Sequence, residues 1–136
     1  MILADTGPLV ALFDPRDRDH VWARDRLAEV TQLITTVPVL TEALHLLDPG
    51  SRGAIAFRKF VVGGGIHVWF LDQRSVTRAF ELMDRYSDHP MDLADASLVA
   101  ASEALRVTTV LTLDRRDFAT YRARIGRSSR SFRILD

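Results

Sequence analysis

The sequence predicts an α/β protein: a three-layer α/β/α domain built on a central, mainly parallel five-stranded sheet. Three observations carry that expectation. Short apolar runs alternate along the chain with helical patterns of about 10–15 residues, the rhythm of successive β–α–β units. Gly, Pro and Asp punctuate the boundaries between them, at Asp14-Pro15, Asp48-Pro49-Gly50 and Gly63-Gly64-Gly65. The chain has 136 residues, 47% hydrophobic and 26% charged, which suits one domain spanning residues 1–136 with a core large enough to need no staples.

The elements follow in order. Ile2-Leu3-Ala4 reads as a buried strand that ends at Asp5-Thr6-Gly7, with a helix opening at Pro8. Asp14-Pro15 ends that helix, and residues 18–30 form the next, with Val21, Ala23, Leu27 and Val30 on its apolar side. Leu33 to Thr36 is a second strand. Pro38 opens a helix that runs to Leu47, and Arg52 to Val62 is another, closed by the three glycines. Ile66 to Leu71 is a third strand, followed by helices over 73–87 and 92–105. Thr108 to Leu113 is the fourth strand and Phe132 to Leu135 the fifth. Helices then cover both faces of the sheet, and a site is expected beyond the carboxyl ends of the strands.

Several chemistries drop out on composition. There is no cysteine, which removes disulfides, zinc–thiolate sites and thiol nucleophiles and suits a reducing cytosol. The first residues carry no basic region before their apolar stretch, which breaks at Asp5 and Pro8, so neither a signal peptide nor a membrane span is expected. His20, His45, His67 and His89 are scattered and form no ligand pair. Ser97 and Ser102 lack the partners of a serine triad. The glycines at 63–65 are followed by no Lys-Ser/Thr and make a turn rather than a phosphate loop. Trp22 and Trp69 could each stack on a base, although Trp69 sits in an apolar strand and fits the core better.

Net charge is zero, but it is unevenly spread. Lys59 is the only lysine. Arg115 to Asp136 holds seven arginines against Asp117 and Asp136, a net +5 that leaves −5 for the rest of the chain. A basic segment beside an acidic body can grip phosphates and keep carboxylates free for a metal; a solvated charged face is the plain alternative.

The acids carry the chemistry. Asp5 and Asp114 follow the first and fourth strands, so parallel strands bring both to one rim. Glu42 sits between Val39 and Leu46 on a helix whose stripe is Leu40, Ala43, Leu44 and Leu47, which predicts a partly buried carboxylate. Asp92 and Asp95 share a helix face. Asp92 also fits a helix cap. Asp95 opens a helix that is apolar almost all round, where an ionised acid needs a partner. Two such charges about 4 Å apart repel by about 4 kcal/mol at an effective dielectric near 20. No cluster of basic residues in the core segments answers them. A divalent cation would, and the oxygen-only donor set favours Mg²⁺ over zinc.

In order and spacing, these motifs resemble the PIN-domain ribonucleases. Ile2-Leu3-Ala4-Asp5-Thr6-Gly7 is similar to their opening strand, Thr41-Glu42-Ala43 to their second acidic motif and Leu93-Ala94-Asp95-Ala96 to their third. Thr112-Leu113-Asp114-Arg115-Arg116-Asp117-Phe118 is similar to the fourth, and the likeness runs from residue 2 to about 135. The compact size is that of the VapC-type toxins of bacterial and archaeal toxin–antitoxin pairs. The resemblance implies Asp5, Glu42, Asp95 and Asp114 as the acidic quartet, with Asp5, Asp95 and Asp114 holding Mg²⁺ (or Mn²⁺ in its place). It makes Asp92 and Asp117 auxiliary acids and Thr6 and Thr112 polar helpers. It further implies hydrolysis of RNA phosphodiester bonds, a cognate antitoxin as partner and a homodimer. Arg115 and Arg116, directly after Asp114, are placed to contact flanking RNA phosphates.

Two other readings compete with the toxin. One is an RNA-processing nuclease without an antitoxin. The other is a non-catalytic Mg²⁺-binding signalling or interaction domain. A receiver domain would need paired acids at the first strand and a late lysine, and the chain has neither.

Overall fold

A computed structural model describes residues 1–136. In chain order the elements are β1 (Ile2–Ala4), α1 (Thr6–Phe13), α2 (His20–Ala28), β2 (Leu33–Thr36), α3 (Val37–Leu46), α4 (Arg52–Val62) and β3 (His67–Trp69). There follow α5 (Gln73–Arg85), α6 (Leu93–Leu105), β4 (Thr109–Leu111), α7 (Arg115–Thr120), β5 (Arg122–Ile125), β6 (Ser128–Ser131) and β7 (Arg133–Ile134).

Five strands form one parallel sheet in the order β3-β2-β1-β4-β7. The chain winds outward from β1 through β2 to β3, then returns to place β4 on the other side of β1. That reversal opens a crevice at the carboxyl ends of β1 and β4, the place where open α/β sheets hold their ligands. Leu3, Ala4, Val110 and Leu111 of these two central strands are fully buried, as expected of strands covered on both faces.

The helix α6 fixes the second side of the crevice. Every residue from Ala94 to Ser102 is buried, because α6 is wedged between α5, α3, β2 and β5. Its alanines and serines let those neighbours approach closely. Its two buried hydroxyls are satisfied locally. Ser97 donates to Ala94 O at 2.7 Å and shares a 2.5 Å bond with Thr36, and Ser102 donates to Val107 O. Both serines are structural.

The expected elements are present with shorter ends, and three features differ. Pro8 is the third residue of α1, not the first. The Asp5 carboxylate accepts from Thr6 N and starts the helix at once. Proline is tolerated there because the first N–H groups of a helix have no partner within it. The segment between β4 and the last strand, for which the sequence pattern offers no element, contains α7 and the antiparallel hairpin β5–β6. On α3, Val39 and Ala43 are buried, whereas Leu44 of the expected stripe and Leu46 of the expected flank face outward.

One glycine is required by packing. A Cβ on Gly53 would stand 2.1 Å from the carbonyl oxygen of Phe13, so the start of α4 lies against the end of α1. No helix is long and apolar enough to cross a membrane.

Candidate active site

Asp5 is the best-fixed acid. It ends β1, its amide donates to Leu111 O at 3.0 Å, and only 2% of its surface is exposed. One carboxylate oxygen accepts from Thr6 N at 2.8 Å; the other accepts from Thr112 Oγ1 at 2.7 Å. Thr112 Oγ1 in turn accepts from Asp114 N at 2.9 Å. One hydroxyl therefore ties the acid after β1 to the acid after β4. Desolvation pushes the Asp5 carboxyl up to about 6, with the charges of Asp114 and Glu42 adding to it and the two hydrogen bonds opposing it.

Asp95 lies in the first turn of α6, 8% exposed. Its carboxylate accepts from Tyr121 Oη at 3.0 Å. Desolvation raises it most, then the charges of Asp5 and Asp92, to about 8. Asp114 is exposed at the N-cap of α7, and its carboxyl is also raised, by desolvation and then by Asp117 and Asp92. Glu42 is half-buried on α3 and adds to the field at Asp5. Asp5 and Asp95 both feel Asp114, Asp95 feels Asp5, and Asp5 feels Glu42, as expected of acids gathered near the carboxyl ends of β1 and β4. No Lys, Arg or His forms an ion pair with any of the four.

The other candidates are occupied elsewhere. Asp92 caps α6 by accepting from Asp95 N at 2.8 Å. Asp117 pairs with His89 Nε2 at 2.7 Å. Arg115 lies 5.8 Å over the half-buried ring of Trp22 and 3.8 Å from Asp136; Arg116 is exposed. Trp69 is half-buried at the end of β3.

The donor set is suited to a hard divalent cation. Two nearly buried carboxylates share one pocket of field with no counter-charge, and beside them Thr6 Oγ1 is buried with no hydrogen-bond partner. Both Asp5 oxygens and one Asp95 oxygen are turned onto hydrogen-bond donors, and no three acidic or histidine side chains stand in a metal-holding group.

Tyr121 is the site residue that sequence reasoning missed. It is fully buried among Tyr86, His89 and Phe118, with ring centroids 5.2–5.9 Å apart. Burial and the Asp95 charge push its phenol upward, so it stays a donor. It stands 26 positions from Asp95, and only the fold joins them.

Acids at the switch point of a parallel sheet, tied together by the Thr112 hydroxyl and facing a buried helical acid, define a class: small α/β proteins with a carboxylate-lined cleft. The family model described as PIN domain matches residues 2–123, and the chain belongs to that family. It is similar to ribonuclease VapC26 of Mycobacterium tuberculosis (strain ATCC 25618 / H37Rv), 26% identical over 124 residues that cover 89% of this chain and 92% of that one. Its fold is similar to that of the sarcin-ricin loop cleaving toxin VapC20 of Mycobacterium tuberculosis. The TM-score is 0.75 at 23% identity, over 81% of this chain and 87% of that one. A chain from a toxin–antitoxin complex of Klebsiella pneumoniae gives a TM-score of 0.65 at 21% identity, over 88% and 92%.

Proposed function

We propose that this PIN-family chain, acting as one domain over residues 1–136, is a Mg²⁺- or Mn²⁺-dependent endoribonuclease and the VapC-type toxin of a toxin–antitoxin pair, active on cytoplasmic RNA. One observation carries the reading: Asp5 and Asp95 are almost fully buried, both raised, and unopposed by any cation of the chain. Such a pair costs stability and is kept for function. The resemblance to a named ribonuclease along nearly the whole length supports the same conclusion.

Asp5, Asp95 and Asp114 would hold the cation, with Glu42 beside them. When bound, it supplies Lewis-acid polarisation of the phosphate and acidifies a water. The chain's own residues do the rest. Thr112 holds one Asp5 oxygen and the Asp114 amide, fixing the spacing of the two strand-end acids. Tyr121 orients Asp95 by donating to it and favours its ionised form. Glu42, the half-buried acid, orients water or substrate at the rim. Thr6 Oγ1 is a free hydroxyl beside Asp5. Asp92 and Asp117 act indirectly, by building α6 and by fixing His89 against Tyr121. Arg115 and Arg116 meet flanking phosphates. A homodimer and a cognate antitoxin complete the reading.

The test is direct. Purified chain, free of antitoxin, is incubated with total RNA in Mg²⁺ or Mn²⁺, beside an EDTA control and an Asp95→Asn variant with intact folding. Discrete cleavage that needs both the metal and Asp95 is expected. Cleavage that survives EDTA, or that Asp95→Asn leaves intact, would contradict the carboxylate centre.

A further inference from the structure

The ten residues from Arg122 to Ser131 contain four arginines and no acid. They fold as the β5–β6 hairpin, closed by a two-residue loop in which Gly126 takes φ 62, the position where type II′ hairpins need glycine. Ala123 is buried against α6 and Ile125 packs on the core, so these two turn inward. Alternation then turns Arg122 and Arg124 outward, paired across the strands with Ser131 and Ser129. Arg127 is at the tip, and Arg130, directly opposite Ala123, leaves the outer strand on the other face of the hairpin from Arg124; Arg124, Arg127 and Arg130 are exposed, and none has a carboxylate or a side-chain hydrogen bond.

The mounting is rigid and rooted in the acidic rim. Tyr121, the residue before β5, donates to Asp95. The two β5 amides that face away from β6 are capped by side chains instead of a third strand: Arg122 N donates to Tyr86 Oη at 3.0 Å and Arg124 N to Glu103 Oε2 at 2.5 Å. Glu103 is itself clamped by Arg78 through Nε at 2.7 Å and a second nitrogen at 3.0 Å. Asp95 and Glu103 lie two turns apart on α6, roughly 12 Å at 1.5 Å per residue. The hairpin therefore starts at the acids and leads away from them.

We propose that the β5–β6 hairpin is a phosphodiester-binding ribbon that grips the RNA strand beyond the acidic centre where the strand passes over the hairpin's end, through Arg124 on one face, Arg127 at the tip and Arg130 on the other face. The proposal rests on the ribonuclease reading and extends it. Fixed amides and a half-buried clamp hold the backbone, so binding has only side-chain freedom to freeze, and the guanidiniums reach phosphates bidentately. Being sequence-blind, they supply affinity and orientation, while cleavage is left to the rim.

The experiment measures binding of a fluorescein-labelled single-stranded RNA oligonucleotide, by anisotropy in EDTA across a salt series. The wild-type chain is compared with Arg124→Ala/Arg127→Ala/Arg130→Ala. A control of equal charge change, Arg52→Ala/Arg58→Ala/Arg74→Ala, removes exposed arginines elsewhere. Unfolding midpoints verify folding, and cleavage of total RNA in Mn²⁺ is measured in parallel. The hairpin variant is expected to bind about tenfold or more weakly at low salt, with a salt slope smaller by about 2, because each lost phosphate contact releases roughly 0.7 of a counterion on a single strand. The control should keep the wild-type slope. DNA of the same sequence should weaken equally if the backbone is what is held; a loss confined to DNA would overturn the assignment to RNA. If the wild type cleaves RNA and the hairpin variant matches it in affinity and slope, the proposal falls alone, and the open edge of β6 belongs to a protein partner. If the wild type neither binds nor cleaves RNA, both readings fall together.

Discussion

The acidic rim and the arginine hairpin hold opposite charges in opposite ways. Asp5 and Asp95 are desolvated, and their carboxyls are raised. Arg124, Arg127 and Arg130 are left in water without partners. Burying a charge is costly and concentrates its field on a small target. Leaving it solvated costs almost nothing, and a polymer can still reach it. The two regions share one helix, α6, which carries Asp95 at its start and Glu103 near its end. The fold thus spends its stability on the rim and attaches the hairpin cheaply.

The sharpest way to break this contrast is to neutralise one member of the rim. Asp95→Asn is expected to reduce RNA cleavage by about 10²-fold or more, the scale of several kcal/mol of lost transition-state stabilisation. It should also raise the thermal midpoint in metal-free buffer at pH 8. The sign follows from proton binding. The unfolded carboxyls lose their protons near their ordinary value of 3.8, whereas the folded ones keep them to about 6 for Asp5 and about 8 for Asp95. Between those values the folded chain binds more protons, so stability is full at acid pH and falls as pH rises from about 4 to about 8. Thermal unfolding across that range should show the fall, and Asp95→Asn should remove its upper half. A variant that melts lower at every pH would contradict the contrast.

The hairpin's mounting offers the next test. Glu103→Ala leaves Arg78, with a side chain only 18% exposed, and the Arg124 amide without their acceptor. It should cost about 2–3 kcal/mol in denaturant unfolding. Amide exchange should quicken first in residues 122–131, with little change in β1 and β4.

A smaller effect marks the end of α6, away from both regions. Arg106 is the only non-glycine residue with positive φ, at 58, where it caps the helix. Glycine is preferred there, so Arg106→Gly should stabilise the chain by about 0.5–1 kcal/mol and leave cleavage unchanged.

The same contrast explains what was legible in the sequence. The parallel sheet was readable because its strands are apolar runs between helical patterns, and Leu33 to Thr36 was placed to the residue. The acids were readable because strand ends point to one rim and because Asp95 opens an almost wholly apolar helix. The hairpin was not. The outer strand, Ser128-Ser129-Arg130-Ser131, has no apolar residue to mark a face, and only Ala123 and Ile125 of β5 alternate. The six residues of α7 are too few to show a helical period. Nor do sequence rules reach contacts such as Tyr121 to Asp95 or Glu103 to Arg124 N, which exist only once α6 and the hairpin are packed.

The most direct measurement of the central claim is thermal unfolding of the wild-type chain and Asp95→Asn at pH 8 during Mn²⁺ titration, with Ca²⁺-free and EDTA baselines. A cation held by the rim stabilises the folded state in proportion to the logarithm of its concentration, about 2.7 kcal/mol at one hundred times its dissociation constant. For a chain this size, that is a midpoint rise on the order of 10 °C. The rise is expected in the wild type and should be largely lost in Asp95→Asn. An equal rise in both, or none in the wild type, would contradict a cation held between Asp5, Asp95 and Asp114.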